Sequence, residues 1–194
     1  MRVFLTVLTL LFSLNSFAGE APDVVVKTAA DKLLGQILAN KSKVESDSQY
    51  VATLVESNLI GIVDQERMAK LALGKYWKDA SDAQKAAFIT GFKRLLIKTY
   101  AGAFKAYNGQ QITYSATRYN ETKDKAIVET QIQQPGGQNI ELQYRMSLTN
   151  GEWKVFDAVV AGLGLVQTYR TQFAEQIQRD GLDATIKALN ATPL

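Results

Sequence analysis

Ile140, Leu142, Tyr144, Met146 and Leu148 alternate with Glu141, Gln143, Arg145 and Ser147, and Asn150-Gly151 follows at once. A strict period of two describes a strand with one apolar and one wet face. Asn-Gly is the strongest short hairpin signal, because both residues tolerate the positive φ of a type I′ turn. Residues 153–160 therefore return antiparallel to that strand. Upstream, Ile112, Tyr114 and Ala116 alternate within 110–119, a polar turn spans 120–124, and 126–133 reads as a further strand before Pro135-Gly136-Gly137. Four strands in succession make an antiparallel meander and not a βαβ crossover.

The region before the sheet, 24–107, has helical periodicity. Leu33, Leu34, Ile37 and Leu38 form a stripe within 28–38; Val51, Leu54, Val55, Leu59 and Ile62 form another within 50–62. Asp64 is placed to cap a third helix containing Met68, Leu71 and Leu73, with Gly74 at its end. Ser81-Asp82-Ala83-Gln84 is a capping box that opens a longer helix over 82–107. On that helix Phe88, Ile89, Phe92, Leu95, Leu96, Tyr100, Ala103 and Tyr107 share one broad face, with Arg94, Lys98 and Lys105 opposite. The basic stripe reads either as a solvated face or as a docking surface for an acidic partner or anionic membrane.

After the sheet, helices are expected within 165–190, over 168–178 and 182–189, broken near Gly181. The corner between sheet and helices reads Gly162-Leu163-Gly164. A strand, a glycine turn and a helix also build dinucleotide sites, but those require Gly-x-Gly-x-x-Gly inside a βαβ unit. Position 167 is Gln, and the preceding strand closes a meander. The glycines instead let the chain leave the sheet sharply. The fold class expected is α+β: a four-stranded antiparallel meander of the cone-shaped, NTF2-like kind, with helices enclosing its apolar face. Composition does not separate a filled core from a pocket there, since apolar side chains line both.

The first 18 residues read as a secretory signal peptide. Arg2 supplies the positive start, Val3 to Leu14 is apolar but short of the ~20 residues a membrane span needs, and Ser16-Phe17-Ala18 offers small residues before a cut after Ala18. Residues 19–194 then form one exported domain. The formal net charge is +3, and loss of Arg2 takes it to +2, too mild to argue for nucleic acid. The chain contains no cysteine, which excludes disulfides and a lipid-modified cysteine, and no histidine, which excludes Ser-His chemistry.

Two stretches, MAKLALGKYWKDAS at 68–81 followed by Gln84 and Phe88, and WKVFDAVVAGLGLVQTYRTQF at 153–173, resemble signatures of the MlaC family. These are also called toluene-tolerance or phospholipid-transport periplasmic proteins. The resemblance runs along the whole expected mature chain. Two positions depart from the family pattern: Ala161 stands where an acidic residue is usual, and a serine is usual near Gly164. The resemblance implies a soluble periplasmic carrier that holds a glycerophospholipid by its tails. It implies exchange with an outer-membrane lipoprotein–porin complex and an inner-membrane ABC transporter bearing a substrate-binding ring. It implies no enzymatic activity, no metal and no cofactor.

Under that reading the tails contact Leu142, Tyr144 and Met146 on the third strand, Phe92, Leu96 and Tyr100 on the long helix, and Val160, Leu163, Val166 and Tyr169 at the corner. Arg94, Lys98 and Arg170 are candidates for head-group or partner contact, with surface ion pairing as the plain alternative for Arg170. Asp157 lies in an apolar strand. It reads either as a structural hydrogen-bonding group or as the general base of a small cone-fold isomerase. A scaffold module with a filled core is the third alternative.

Overall fold

A computed structural model describes residues 19–191, so the leader expected over 1–18 lies outside the described residues. Seven helices and six strands follow in the order α1 (Pro22–Ala39), α2 (Lys41–Ser46), α3 (Ser48–Leu59), α4 (Gln65–Leu73), α5 (Asp82–Ala106), β1 (Ile112–Tyr114), β2 (Arg118–Tyr119), β3 (Lys125–Ile132), β4 (Ile140–Thr149), β5 (Glu152–Val160), β6 (Leu163–Gly164), α6 (Leu165–Asp180) and α7 (Leu182–Ala191). Short 3-10 turns at Ile60–Ile62 and Gly74–Trp77 flank α4.

The helix starts follow local chemistry. The Tyr50 N–H donates to Asp47 at the head of α3, and the Arg67 N–H donates to Asp64 at the head of α4, both at 3.0 Å. At α5 the capping box closes in both directions: the Gln84 N–H donates to Ser81 Oγ at 3.2 Å, and the Ser81 N–H donates to Gln84 Oε1 at 2.8 Å. Each satisfies donors that a helix N-terminus otherwise leaves open. The short α2 has only one buried residue, Val44, so its sequence carries no period to read.

All pairing in the sheet is antiparallel, in the order β1-β3-β4-β5-β6, with β2 also on β3. The expected count of four strands is corrected in two places. The first strand is broken: Tyr114 pairs with Thr130 and Arg118 with Ile127, so four steps along the first segment oppose three along β3, and residues 115–117 bulge out. The last strand gains a two-residue return, β6, because Ala161 and Gly162 both take positive φ, 49° and 83°, and fold the chain back on itself. That pair is a type I′ hairpin turn, as is Asn150-Gly151 at 51° and 81°.

Alanine gains nothing from the left-handed region, where a Cβ costs roughly 1–2 kcal/mol. Ala161→Gly is therefore expected to raise stability by about 1 kcal/mol, since the Ala161 N–H bond to the Glu141 carbonyl at 2.9 Å is kept. A urea midpoint that stays level or falls would contradict a strained turn.

Two apolar clusters result. One joins α1, α4, α5, α6 and α7 to the sheet through Phe88, Phe92, Phe173, Val128 and Met146; the other joins α1, α2, α3 and the later part of α5 through Leu33, Ile37, Val51 and Ile97. Helix α5 serves both, so its second side is not the plain solvated stripe expected. Lys98 is exposed, but Arg94 is half-buried, Lys93 pairs with Glu56 at 2.7 Å, and Lys105 Nζ donates to Ser48 Oγ at 2.9 Å. Gly91 lets α7 lie directly on α5, since a Cβ there would sit 2.8 Å from Leu189 Cγ and 2.9 Å from Asn190 Nδ2.

Candidate functional site

Residues paired across a sheet share a face, so the register defines the surface that the helices meet. At one end Ala126, Met146 and Val155 form a buried row. The next row is Val128, Tyr144 and Ala158, with Val128 buried and the other two half-buried. Beyond it lies a row across five strands: Tyr114, Thr130, Leu142, Val160 and Leu163. Within that row Thr130 is buried, Tyr114, Leu142 and Val160 are half-buried, and Leu163 is 68% exposed. Ile112, Ile132 and Ile140 make a last, half-buried row. One apolar face thus runs from fully packed at one end to open at the other.

Helix α5 shows the same gradient in steps of four residues. Phe88 and Phe92 are buried; Leu96 and Tyr100 are half-buried. The buried end is locked by aromatic contacts. The Phe92 ring lies 5.2 Å from Tyr169 and 5.5 Å from Phe173, both edge to face. Tyr169 also donates its hydroxyl to Thr99 Oγ1 at 3.3 Å. Beside α5 lies a cavity of about 140 Å³, lined by Leu59, Val63, Met68, Phe92, Leu96 and Leu165 among others.

Of the residues expected at a pocket, Phe92, Met146, Val166 and Tyr169 sit in the packed core. Leu96, Tyr100, Leu142, Tyr144 and Val160 lie along the half-open surface, and Leu163 stands in solvent at its rim. Lys98 and Arg170 are exposed, with the Arg170 side chain lying against Gly74. Tyr114, Thr130 and Leu165 complete the geometry and were not singled out from the sequence. Tyr114 had a signal, its place in the alternation of the first strand. Leu165 had none.

The phenols of this surface are held neutral. Burial, with smaller contributions from Tyr144, Asp31 and Tyr107, pushes Tyr114 up to about 12. Burial also raises Tyr100, with Tyr169 adding to it, and raises Tyr144. A phenol whose pKa is higher folded than unfolded contributes stability that is complete below pH 10 and is lost as pH rises towards 12. Stability is thus expected to fall across that window, and less steeply in Tyr114→Phe. Identical alkaline slopes for the two proteins would remove Tyr114 as the cause.

Asp157 is engaged on both oxygens. Oδ1 accepts the Val166 N–H at 3.0 Å and Oδ2 accepts Arg145 Nη1 at 3.0 Å. A register slip at Phe156 turns Asp157 away from the face that carries Val155 and towards Arg145. Its carboxylate ties β4, β5 and the first turn of α6 together. Among the described residues no cluster of acidic side chains has the spacing to hold a metal ion, and no helix is long and apolar enough to cross a membrane.

The chain thus forms an α+β shell in which seven helices surround an antiparallel sheet whose apolar face runs from packed to half-open. The chain belongs to the MlaC family: the model of that family, described as MlaC protein, matches residues 27–191. It is 30% identical over 175 residues to the intermembrane phospholipid transport system binding protein MlaC of Haemophilus influenzae, covering 89% of this chain and 82% of that one. It is 32% identical over 189 residues to a toluene tolerance protein of Pseudomonas putida, covering 96% and 87%. Among solved structures, a phospholipid-binding protein from Ralstonia solanacearum in complex with a phospholipid is similar with a TM-score of 0.82 and 31% identity, over 89% of this chain and 96% of that one.

Proposed function

We propose that residues 19–194 form a periplasmic carrier that encloses the acyl tails of a glycerophospholipid between the half-open sheet face and α5. The carrier moves lipid between an outer-membrane lipoprotein–porin complex and an inner-membrane ABC transporter with a substrate-binding ring, which maintains outer-membrane lipid asymmetry. It uses no cofactor and binds no nucleic acid. The observation that carries the reading is the row of Tyr114, Thr130, Leu142 and Val160, which leaves apolar side chains partly open in a family with a phospholipid-bound relative, while Leu163 stands outside it at the rim.

Magnitudes support enclosure. Each buried methylene is worth ~0.8 kcal/mol, and two tails hold roughly thirty, so wetting them would cost on the order of 20 kcal/mol. Lipid leaving a bilayer was already out of water, so exchange with a membrane complex is close to isoenergetic. Direction must then come from differential affinity or from ATP at a partner. The 140 Å³ cavity is smaller than the roughly 300–1,000 Å³ of ordinary ligand sites, so a diacyl cargo widens the space around α5.

Native mass spectrometry of the chain from Gly19 to Leu194, exported in bacteria and purified without detergent, tests this. A mass increment of one or more diacyl phospholipids, released on denaturation, is the expected result. A bare mass that stays bare after mixing with phospholipid vesicles would instead favour a scaffold with function confined to its surface.

A further inference from the structure

The stretch 68–81, followed by Gln84 and Phe88, carries one of the two sequence signatures, yet the half-open surface absorbs little of its segment from Lys70 to Lys85. Between them these residues carry four lysines, Lys70, Lys75, Lys78 and Lys85, against Asp79 and Asp82. Arg170 joins them in space, because its guanidinium packs on Gly74, with Nε 2.8 Å from where a Cβ would be. Asp183 also reaches this face, where Gln84 Nε2 donates to it at 2.7 Å, so the excess is two positive charges. Lys70, Lys75, Lys78 and Arg170 are exposed, and among the described residues none of them has a carboxylate in ion-pair range. Elsewhere Lys93 pairs with Glu56, Arg118 with Glu129, Lys154 with Glu152 and Arg179 with Asp180, while Lys98, Lys123 and Lys125 have no ion pair among the described residues but do not gather with aromatic rings.

Two aromatic rings sit inside this cationic field. Tyr76 and Trp77 are half-buried, packed on the core beneath and open above. Lys75 Nζ lies 5.1 Å from the Tyr76 ring centre, and Lys85 Nζ lies 5.8 Å from that of Trp77. Amphipathic rings flanked by lysine and arginine suit one environment in particular, the head-group layer of a bilayer, where rings take the interfacial depth and cations meet phosphates. An acidic protein surface would use the cations and leave the rings without a role.

We propose that this face docks the protein reversibly on an anionic phospholipid bilayer. A carrier served only by protein partners would not need such contact, so the inference goes beyond the carrier reading and does not depend on it. Docking rests on several weak attractions and is therefore shallow and sensitive to salt.

The experiment is cosedimentation of the Gly19–Leu194 chain with vesicles of phosphatidylcholine alone and of phosphatidylcholine mixed with phosphatidylglycerol. Binding is expected only to the anionic vesicles, and to disappear as salt rises from ~0.01 M to ~1 M and the screening length falls from ~30 Å to ~3 Å. Each surface cation contributes about fivefold, so Lys75→Ala with Lys78→Ala weakens binding about 25-fold. Lys123→Ala with Lys125→Ala, on the turn before β3 and at its first residue, leaves it unchanged. Trp77 emission shifts to the blue on binding, and the shift is absent in Trp77→Phe, since the second tryptophan, Trp153, is already buried. No binding, equal binding to neutral vesicles, or full binding by the Lys75/Lys78 double variant would overturn the proposal. The first of these would leave an acidic protein as the partner. Mass spectrometry of the same preparations keeps the two readings apart: cargo without vesicle binding defeats only this one, and vesicle binding without cargo defeats only the carrier.

Discussion

Asp157→Ala is expected to lower stability by about 1–3 kcal/mol, and Asp157→Asn by less than about 1 kcal/mol. The difference follows from what each substitution leaves behind. Alanine strands the Val166 N–H, a buried donor at the first turn of α6, and removes the acceptor that joins that turn to β5. An unsatisfied buried donor costs about 1–3 kcal/mol. Asparagine keeps an oxygen for Val166. It gives up the charge on Arg145, but that side chain is 46% exposed, so the pair is screened and contributes little. For a chain of this size 1 kcal/mol moves the midpoint by roughly 2–4 °C, so the alanine variant should melt roughly 2–12 °C lower. Thermal and urea unfolding of both variants, with bound lipid measured alongside, check this. If both variants fold as well as the parent and yet lose lipid, Asp157 acts on the cargo and not on the α6 junction.

The same residue shows where sequence reading ends. Asp157 was conspicuous as a charge in an apolar strand, but its partners lie nine residues on at Val166 and on the neighbouring strand at Arg145. The register that brings Arg145 opposite depends on a one-residue slip at Phe156, which has no sequence signature. Features set by chemistry within one turn were legible: the Ser81–Gln84 box, the Asp64 cap and the Asn150-Gly151 hairpin all stand where the residues put them. The second hairpin was half legible. Gly162 announced a turn, but Ala161 gave no sign that it would take a left-handed conformation, so the return strand β6 was missed. The break at 115–117 depends on how β3 meets its neighbour and was equally hidden.

The candidate site divides along the same line. Alternation placed Leu142 and Tyr144 on one face, because a period of two fixes sides within an unbroken strand, whereas Val160 joins that face only through the slip at Phe156. It did not rank them by depth, since Met146 belongs to the same series and is fully buried. The cavity residues Leu59, Met68 and Leu165 come from three separate elements that meet only in the folded chain. An apolar side chain looks the same in sequence whether its neighbour is another side chain or open space.

Depth decides which substitutions report on cargo, and here the expected effect is largest. Leu142→Trp should remove nearly all copurifying phospholipid, at least tenfold less per chain than the parent, while the protein still folds. Leu142 stands mid-row between Thr130 and Val160 and is half-buried, so an indole there projects into the open part of the surface. Overpacking costs about 1–3 kcal/mol in a filled core and less where space remains, which leaves a folded protein to assay. Met146→Trp would test nothing about lipid, because a fully buried position pays that cost in stability. Leu163→Trp is the matched control: at 68% exposure the larger ring stays in solvent at the rim, and loading should equal the parent's. Phospholipid per chain by mass spectrometry, read beside the melting midpoint, separates the cases. Parent-level loading in folded Leu142→Trp would mean that the tails do not lie on the sheet, and would move them to the cavity bounded by Phe92, Leu96 and Leu165.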